Sequence, residues 1–401
     1  MPLHLSRRHF AKTVGATLGA ALVAEHLTLE LAEARLPRGF SDNAILLNSN
    51  ENPYGPSKRA IKAMKNSLES CARYPDALIS EMRDAVARLH RVSPEQVALG
   101  CGSGDILRVA AGAFLGHGRE IVLAEPTYEE MWRYAQNVGA VQKKIAATSD
   151  YRHDLPAMAD ACSSNTGLIY ICNPCNPTGT IVYRDELAAF LDRTPPTAAI
   201  IIDEAYHHFA EDPRYASAFD LLNRAPNLVV ARTFSKIYGM AGMRLGYAVA
   251  SPELIARMGR FGLWNPLNAA VLEAGLASLE DADHVAKQRK LNNETRDWLC
   301  RELQRDGRRC IPSHTNFIML DVGRDVVEVA AEFRQREILV GRKFPPMNNW
   351  LRVSIGTRKE MEKFLAALRQ IVPTTPVATA SATSASTATA ARIAAETAKA
   401  A

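Results

Sequence analysis

Short apolar runs alternate with amphipathic stretches along the middle of the chain, and this alternation restricts the folds open to it. The runs have the length of β-strands and consist mainly of Ile, Val, Leu and Ala. They lie at 97–100, 120–124, 167–172, 198–203, 228–231 and 245–249. The stretches that predict helices lie at 78–89, 105–115, 128–137 and 185–191. Strands that alternate with helices favour a layered α/β sheet.

The pattern changes after residue 282. Its predicted elements, in the order helix, strand, helix and strand, lie at 284–305, 316–320, 326–336 and 351–355. We expect them to form a smaller α+β domain at 283–373, completed by an N-terminal arm at 35–60. The large domain would then occupy 61–282.

Both ends of the chain differ in composition from the middle. Residues 1–34 carry the pair Arg7 and Arg8 ahead of a weakly apolar run rich in Gly and Ala, which resembles a twin-arginine export signal. A basic amphipathic helix is the alternative, and it would leave the protein in the cytoplasm. Residues 374–401 consist mainly of Ala, Thr and Ser, so we predict a disordered tail. The export-signal interpretation of residues 1–34 predicts a periplasmic or otherwise exported protein.

Charge and hydropathy exclude two classes of partner. The 401 residues have a formal net charge of +5, and their Lys and Arg are scattered rather than gathered in a stripe with aromatic residues. We therefore expect no nucleic-acid partner. No stretch reaches the roughly twenty uninterrupted apolar residues of a membrane span.

The seven cysteines give no clear disulfide framework. Cys172 and Cys175 have the spacing of a redox or zinc-binding pair, but no second pair or histidine cluster completes a site. We interpret both as residues of a strand end and the loop after it. No metal site is predicted.

Lys236 lies in a loop between two of the apolar runs, at 228–231 and 245–249. Burial among apolar residues favours the neutral amine of a lysine, which can form a Schiff base with a carbonyl compound. The hydroxyls of Thr233 and Ser235 and the guanidinium of Arg244 accompany it and suit a phosphate group.

Four further strand ends carry polar or aromatic residues that a ligand at this edge of the sheet could use. A glycine-rich turn, Gly100 to Asp105, precedes a helix and can bind phosphate through its backbone N–H groups. Tyr128 offers a ring for stacking, and Asn176 lies in a loop fixed by prolines. Asp203 ends an apolar run, where a carboxylate is costly unless it meets a cation such as a protonated pyridine. With Lys236, these groups describe a site for pyridoxal 5′-phosphate (PLP).

The chain resembles the fold-type I, class I/II aminotransferases from about residue 48 to 357, and most of all the histidinol-phosphate aminotransferase group. The matching segments lie at 48–57, 73–76, 100–105, 173–179, 203–206, 233–244, 314–317 and 350–356. The resemblance implies a large PLP-binding domain with a mostly parallel central sheet in α/β/α layers and a small α+β domain. It also implies a homodimer with shared active sites.

The resemblance further implies a role for individual residues. Lys236 would hold PLP and move the substrate proton, Asp203 would keep the pyridine nitrogen protonated, and Tyr206 with Asn176 would bind the phenolic oxygen. Tyr128 would stack on the ring. The residues implied for the phosphate are Gly102, Ser103, Gly104, Thr233, Ser235, Arg244 and, from the other subunit, Tyr74. Arg352 would bind the substrate α-carboxylate, and the remaining substrate-binding candidates are Tyr54, Asn316 and Arg342.

Three segments depart from the histidinol-phosphate pattern, namely 103–105, 261–266 and 340–346, and most of the departures fall where the substrate side chain is expected. Trp264 and Phe344 lie in two of them, which favours an apolar or aromatic amino acid. We predict a ping-pong aminotransferase acting on an L-amino acid, or a histidinol-phosphate-like amine, and a 2-oxo acid. The alternatives are a PLP-dependent decarboxylase or β-eliminating lyase, and a non-catalytic periplasmic binding protein.

Overall fold

The computed structural model of the protein describes residues 44–373. The predicted export signal, the first part of the arm and the predicted tail lie outside these residues. The strands are β1 (Ile45–Leu47), β2 (Val97–Gly100), β3 (Glu120–Glu125), β4 (Val141–Ala146), β5 (Thr166–Cys172), β6 (Ala199–Asp203), β7 (Leu228–Thr233), β8 (Gly246–Ala250), β9 (Cys310–Ile311), β10 (Phe317–Asp321), β11 (Ile338–Val340) and β12 (Trp350–Ser354).

The α-helices of the same region cover both faces of the main sheet and surround a second, smaller core. They are α1 (Lys58–Ser67), α2 (Asp76–His90), α3 (Ser103–Phe114), α4 (Glu130–Asn137), α5 (Leu155–Asp160), α6 (Arg184–Arg193), α7 (Pro252–Gly259), α8 (Ala269–Leu279), α9 (Ala282–Arg305), α10 (Val326–Arg334) and α11 (Arg358–Ile371).

The main sheet has the strand order β2-β8-β7-β6-β5-β3-β4. Its neighbouring strands are parallel except where β8 pairs with β2 and β7. The predicted α/β fold with a mostly parallel sheet is therefore confirmed.

Both faces of this sheet are buried, which explains why its central strands are uninterrupted apolar runs. Alternate side chains point to opposite faces. Tyr170 and Ile201 pack with helices α3, α4 and α7 on one face. Ile169 and Ile200 pack with α5 and α6 on the other. The sheet is thus the middle layer of an α/β/α arrangement.

A second core lies around the three-stranded sheet β12-β10-β9 and the pair formed by β1 and β11. Helices α9, α10 and α11 contribute its other side chains, including Leu299, Phe333 and Phe364. Strand β1 pairs in parallel with β11, from Ile45 opposite Ile338 to Leu47 opposite Val340. The chain after β1 then crosses to the main sheet, which brings the arm to the site described next.

Candidate active site

The carboxyl ends of β5, β6 and β7 open into a cavity of about 340 Å³. Their ends are aligned: Cys172 and Asp203, the last residues of β5 and β6, lie opposite each other, and Asp203 lies opposite Ala231, two residues before the end of β7. Residues that follow these strands are therefore brought to one edge, as is general for ligand sites in parallel α/β sheets. The second half of the cavity wall comes from the arm at 48–51 and from the small domain.

The Lys236 side chain reaches the arm. Its Nζ donates to the carbonyl oxygen of Asn50 at 3.1 Å and to that of Ser49 at 3.4 Å. Although the cavity leaves the side chain partly accessible, desolvation by the surrounding protein lowers its pKa to about 8, with the nearby Arg352 as a second cause. A lysine with this pKa is partly a neutral amine near neutral pH, as a nucleophile or base requires.

Asp203 is almost fully buried, with 2% of its surface exposed. The Tyr170 hydroxyl donates to its Oδ2 at 3.0 Å, and the backbone N–H of Ala205 donates to its Oδ1 at 3.1 Å. Burial outweighs these two hydrogen bonds and raises the pKa of the carboxyl group to about 6. A cation placed against it would relieve that penalty.

The Tyr206 hydroxyl accepts a hydrogen bond from Nδ2 of Asn50 at 3.0 Å. Burial raises the pKa of the phenol, so its proton stays in place at neutral pH. The ring packs edge-on against Phe317 with 5.2 Å between the ring centroids. These contacts fix the hydroxyl as a donor beside Lys236, whose Nζ lies 5.6 Å from the centre of the Tyr206 ring.

Arg352 is held by two acceptors. Its Nη1 donates to Oδ1 of Asn176 at 2.8 Å, and its Nη2 donates to the carbonyl oxygen of Asn48 at 2.7 Å. The guanidinium also lies over the ring of Phe344, 4.6 Å from its centroid. A planar, oriented guanidinium of this kind is suited to bind a carboxylate.

A candidate phosphate site lies where β7 and helix α3 meet. Nη1 of Arg244 donates to Oγ of Ser235 at 3.2 Å, and Oγ1 of Thr233 donates to the same oxygen at 3.0 Å. Gly102, which precedes α3, has a φ of +80°, and a Cβ there would collide with the Arg244 guanidinium. The free N–H groups of the first turn of α3, at Ser103 and Gly104, complete a cradle for an anion.

The structure gathers most of the predicted residues around one cavity. Those that line it are Ser103, Gly104, Tyr128, Asn176, Asp203, Tyr206, Thr233, Ser235, Lys236, Arg244, Arg342 and Arg352.

Gly102 directly precedes the lining residue Ser103, and three other predicted residues lie elsewhere. Tyr54 and Asn316 line a small neighbouring cavity, where Nδ2 of Asn316 holds the arm by donating to the Asn50 carbonyl oxygen at 2.9 Å. Tyr74 is 82% exposed and is not a lining residue of the cavity in its own chain.

Several lining residues were not predicted. Asn48 and Asn50 give a signal, since asparagines in a segment without helix or strand periodicity are typical of irregular backbone, and Asn50 has a φ of +53°. Glu129 gives no sequence signal of a site, because an acidic residue before a helix is also explained by its favourable interaction with the helix dipole. Tyr170 donates to the lining residue Asp203 without lining the cavity itself, and its sequence gives no signal either, because it lies within an apolar strand.

Within residues 44–373, no group of three or more metal-binding side chains is clustered. Across that range no helix has both the length and the apolar character needed to cross a membrane. Cys172 and Cys175 are buried and free, and Sγ of Cys175 lies 3.3 Å from Nε2 of His153.

The family described as "Aminotransferase class I and II" matches residues 42–368. The chain belongs to this family. A histidinol-phosphate aminotransferase from Moorella thermoacetica is 39% identical over 348 residues, which are 85% of this chain and 89% of that protein. One from Caldicellulosiruptor saccharolyticus is 35% identical over 333 residues, covering 82% and 92%. The solved structure of histidinol-phosphate aminotransferase from Sinorhizobium meliloti, in complex with PLP, matches with a TM-score of 0.77 and 26% identity over 82% of this chain and 90% of that one.

The aminotransferase is PLP-dependent, as the family implies, and its cavity fits the cofactor. Among the described residues, the hydrogen-bond donors to the buried carboxylate of Asp203 are uncharged, namely the Tyr170 hydroxyl and the Ala205 backbone, and a protonated ring nitrogen would supply a cation in contact with it. Oγ1 of Thr127, on the cavity wall, is buried without a hydrogen-bond partner among the described residues. The anion cradle at the N-terminus of α3 suits the cofactor phosphate, and the amine of Lys236 suits the cofactor aldehyde.

When bound, PLP supplies a carbonyl for amine exchange and a ring that withdraws electrons from the substrate α-carbon. The residues of the chain then have separate tasks. Lys236 Nζ can take a proton from a carbon held near it and return it, Asp203 holds a negative charge at the end of β6, and Arg352 can orient a carboxylate. The arm and the small domain supply the part of the cavity wall that faces the strand ends.

Proposed function

We propose that the aminotransferase moves an amino group between an L-amino acid, or a histidinol-phosphate-like amine, and a 2-oxo acid by a ping-pong mechanism. The observation that carries this proposal is the position of Arg352 in the same cavity as Lys236, close enough to lower the pKa of that lysine. A site that binds the α-carboxylate and deprotonates the α-carbon retains the carboxyl group, which favours transamination over decarboxylation.

The proposal assigns roles to the residues that line the cavity. Lys236 binds PLP covalently and transfers the proton, Asp203 binds the ring nitrogen, and Tyr206 with Asn176 binds the phenolic oxygen. Tyr128 stacks on the ring. The phosphate is bound by Thr233, Ser235, Arg244 and the N-terminus of α3.

A product assay on the purified holoenzyme tests this function. We expect a 2-oxo acid to accumulate from an amino acid donor, or the corresponding ketone from an amine donor, without release of CO2 or ammonia, when 2-oxoglutarate and pyruvate are offered as acceptors. The donor panel includes histidinol phosphate, because the relatives named above carry that activity in their names. Release of CO2 or ammonia in proportion to product would contradict transamination.

We also propose that the enzyme is a homodimer in which Tyr74 completes the phosphate site of the other subunit. Exposed apolar side chains in the large domain support a dimer interface, since Leu263 and Trp264 are 63% and 91% exposed. Sedimentation of wild-type protein should give twice the mass of the chain, and Leu263→Ser with Trp264→Ser should lower it. A monomer that binds PLP as tightly as the wild type would overturn this assembly.

We propose that the enzyme is exported through the twin-arginine route, on the strength of Arg7, Arg8 and the weakly apolar run after them. This route carries folded proteins, which suits an enzyme that binds its cofactor before transport. Replacement of both arginines by lysine should keep the protein in the cytoplasm, as measured by cell fractionation. Unchanged delivery to the periplasm would refute the proposal.

A further inference from the structure

An ion pair joins the large domain to the small one beside the cavity. Nη2 of Arg342, in the loop after β11, lies 2.5 Å from Oε2 of Glu129, which directly precedes α4. Both residues line the cavity, and their side chains are only 36% and 21% exposed. Partial burial of this kind makes an ion pair stronger than one at the open surface.

A second arginine approaches the same carboxylate oxygen. Nη2 of Arg133, one turn into α4, lies 3.4 Å from Oε2 of Glu129. The carboxylate is therefore placed between two guanidinium groups, Arg133 and Arg342. Two arginines around one carboxylate oxygen form the arrangement that an anionic substrate group would otherwise seek.

Phe344 connects this ion pair with the group proposed to bind the α-carboxylate. Its ring centroid lies 4.2 Å from Cζ of Arg342 and 4.6 Å from Cζ of Arg352. A substrate whose α-carboxylate binds Arg352 thus has an aromatic wall between that end and the Glu129 ion pair. The substrate side chain meets Phe344 first and the charged pair beyond it.

We propose that Glu129 is a specificity-determining residue: it occupies the anion position between Arg133 and Arg342, so the enzyme favours neutral substrate side chains over carboxylate or phosphate. This inference rests on the proposed transamination. An acidic side chain must approach Glu129 or displace it, and like charges brought together at a desolvated site repel each other strongly. A neutral side chain packs on Phe344 and leaves the ion pair intact.

Selectivity kinetics of Glu129→Gln test the proposal, with phenylalanine as the neutral donor and glutamate and O-phosphoserine as donors with an anionic side chain. We expect the ratio of kcat/KM for anionic over neutral donor to rise at least about tenfold, mainly through a lower KM. The matched control is Glu130→Gln, which removes a negative charge from the same cavity wall. In the wild type, Oε2 of Glu130 accepts a hydrogen bond from the Tyr134 hydroxyl at 2.7 Å, whereas Glu129 binds Arg342. The ratio in this control should change less than about twofold.

Equilibrium binding provides a readout that does not depend on turnover. Calorimetry with the holoenzyme compares two unreactive ligands, succinate and 3-phenylpropionate. The wild type should bind 3-phenylpropionate more tightly, and Glu129→Gln should tighten succinate at least about tenfold with little change for the aromatic ligand.

An unchanged preference for the anionic compounds in Glu129→Gln would overturn the proposal, since Glu129 would then have no effect on selectivity. A lower preference would also overturn it, since Glu129 would then position Arg342 to bind anions. If the wild type transfers no amino group from any donor, the proposed function fails. The binding comparison still decides the role of Glu129 in that case.

Discussion

Arg352 donates a 2.8 Å hydrogen bond to the Asn176 side chain, which joins the last strand of the small domain to the loop after β5 of the large one. The bond fixes the guanidinium at the cavity and keeps Oδ1 of Asn176 occupied. The amide nitrogen of Asn176 is then the group left for the cofactor. One contact thus sets the orientation of two side chains that serve different ends of the site.

Arg352→Ala should lower kcat/KM for amino acid donors by about 100- to 1,000-fold, mostly through KM, because a buried and oriented charge is lost. Steady-state kinetics measure this effect. Arg309→Ala is the control, since the Arg309 side chain is 71% exposed and lies outside the cavity. Equal losses in both variants would argue against a carboxylate site at Arg352.

Covalent loading of PLP onto the apoprotein should accelerate as the pH rises through about 8, the pKa of Lys236 in the fold. Below that pH the lysine is mainly an ammonium ion, which cannot attack an aldehyde. Stopped-flow absorbance measures the rate, and Nα-acetyl-lysine, with a side-chain pKa of about 10.4, is the reference compound. A midpoint equal to that of the reference would mean that the fold does not perturb Lys236.

Asp203→Asn should have opposite effects on stability and activity. Because the folded pKa is raised from 3.8 to about 6, the stability that the protonated carboxyl group contributes is complete below pH 3.8 and lost as the pH rises through about 6. The apoprotein variant should therefore gain up to about 3 kcal/mol in free energy of unfolding relative to wild type between pH 4 and 8.

The same Asp203→Asn holoenzyme should lose at least about 100-fold in kcat, because an amide cannot hold the ring nitrogen protonated. Urea unfolding of the apoproteins and transaminase assays of the holoenzymes measure the two effects. A relative stability that does not change with pH would contradict the raised pKa.

Arg232→Met should destabilise the apoprotein by about 3–5 kcal/mol, because it leaves the carboxylate of Glu204 buried without its cation. Nη2 of Arg232 lies 2.7 Å from Oε2 of Glu204, and these side chains are 8% and 0% exposed. Arg59→Met breaks an ion pair whose side chains are 57% and 73% exposed, so it should cost at most about 1 kcal/mol. Chemical denaturation compares the two, and similar losses would count against a special role for the buried pair.

The main sheet and much of its ligand edge could be predicted because buried parallel strands are uniformly apolar. The end of such a run is visible in sequence, and a charged residue placed there, such as Asp203, marks the rim. Strand β4 could not be predicted in this way because it is not an apolar run. It lies at the edge of the sheet, and its sequence VQKKIA carries two lysines. Helix α8 was missed because it is apolar on most sides and so lacks amphipathic periodicity.

Contacts between distant segments could not be predicted from one sequence. The ion pair of Glu129 with Arg342 joins residues 213 positions apart, and neither residue has a local feature that names its partner. The second core and the arm were predicted as elements, but the contact of Lys236 with the carbonyl oxygens of the arm depends on how the two domains meet. Substrate selectivity is determined by such contacts, which is why the cofactor was easier to infer than the donor.

The position of Asn50 has a consequence for how the protein is made. Its backbone N–H donates to Ser354, 304 residues later, and its carbonyl oxygen binds both Lys236 and Asn316. At ribosomal rates of about 5–20 residues per second, the segment that holds the arm emerges roughly 15–60 s after the arm itself. The contacts that hold the arm against Lys236 therefore cannot be complete in a nascent chain until the segment around Ser354 has been synthesised.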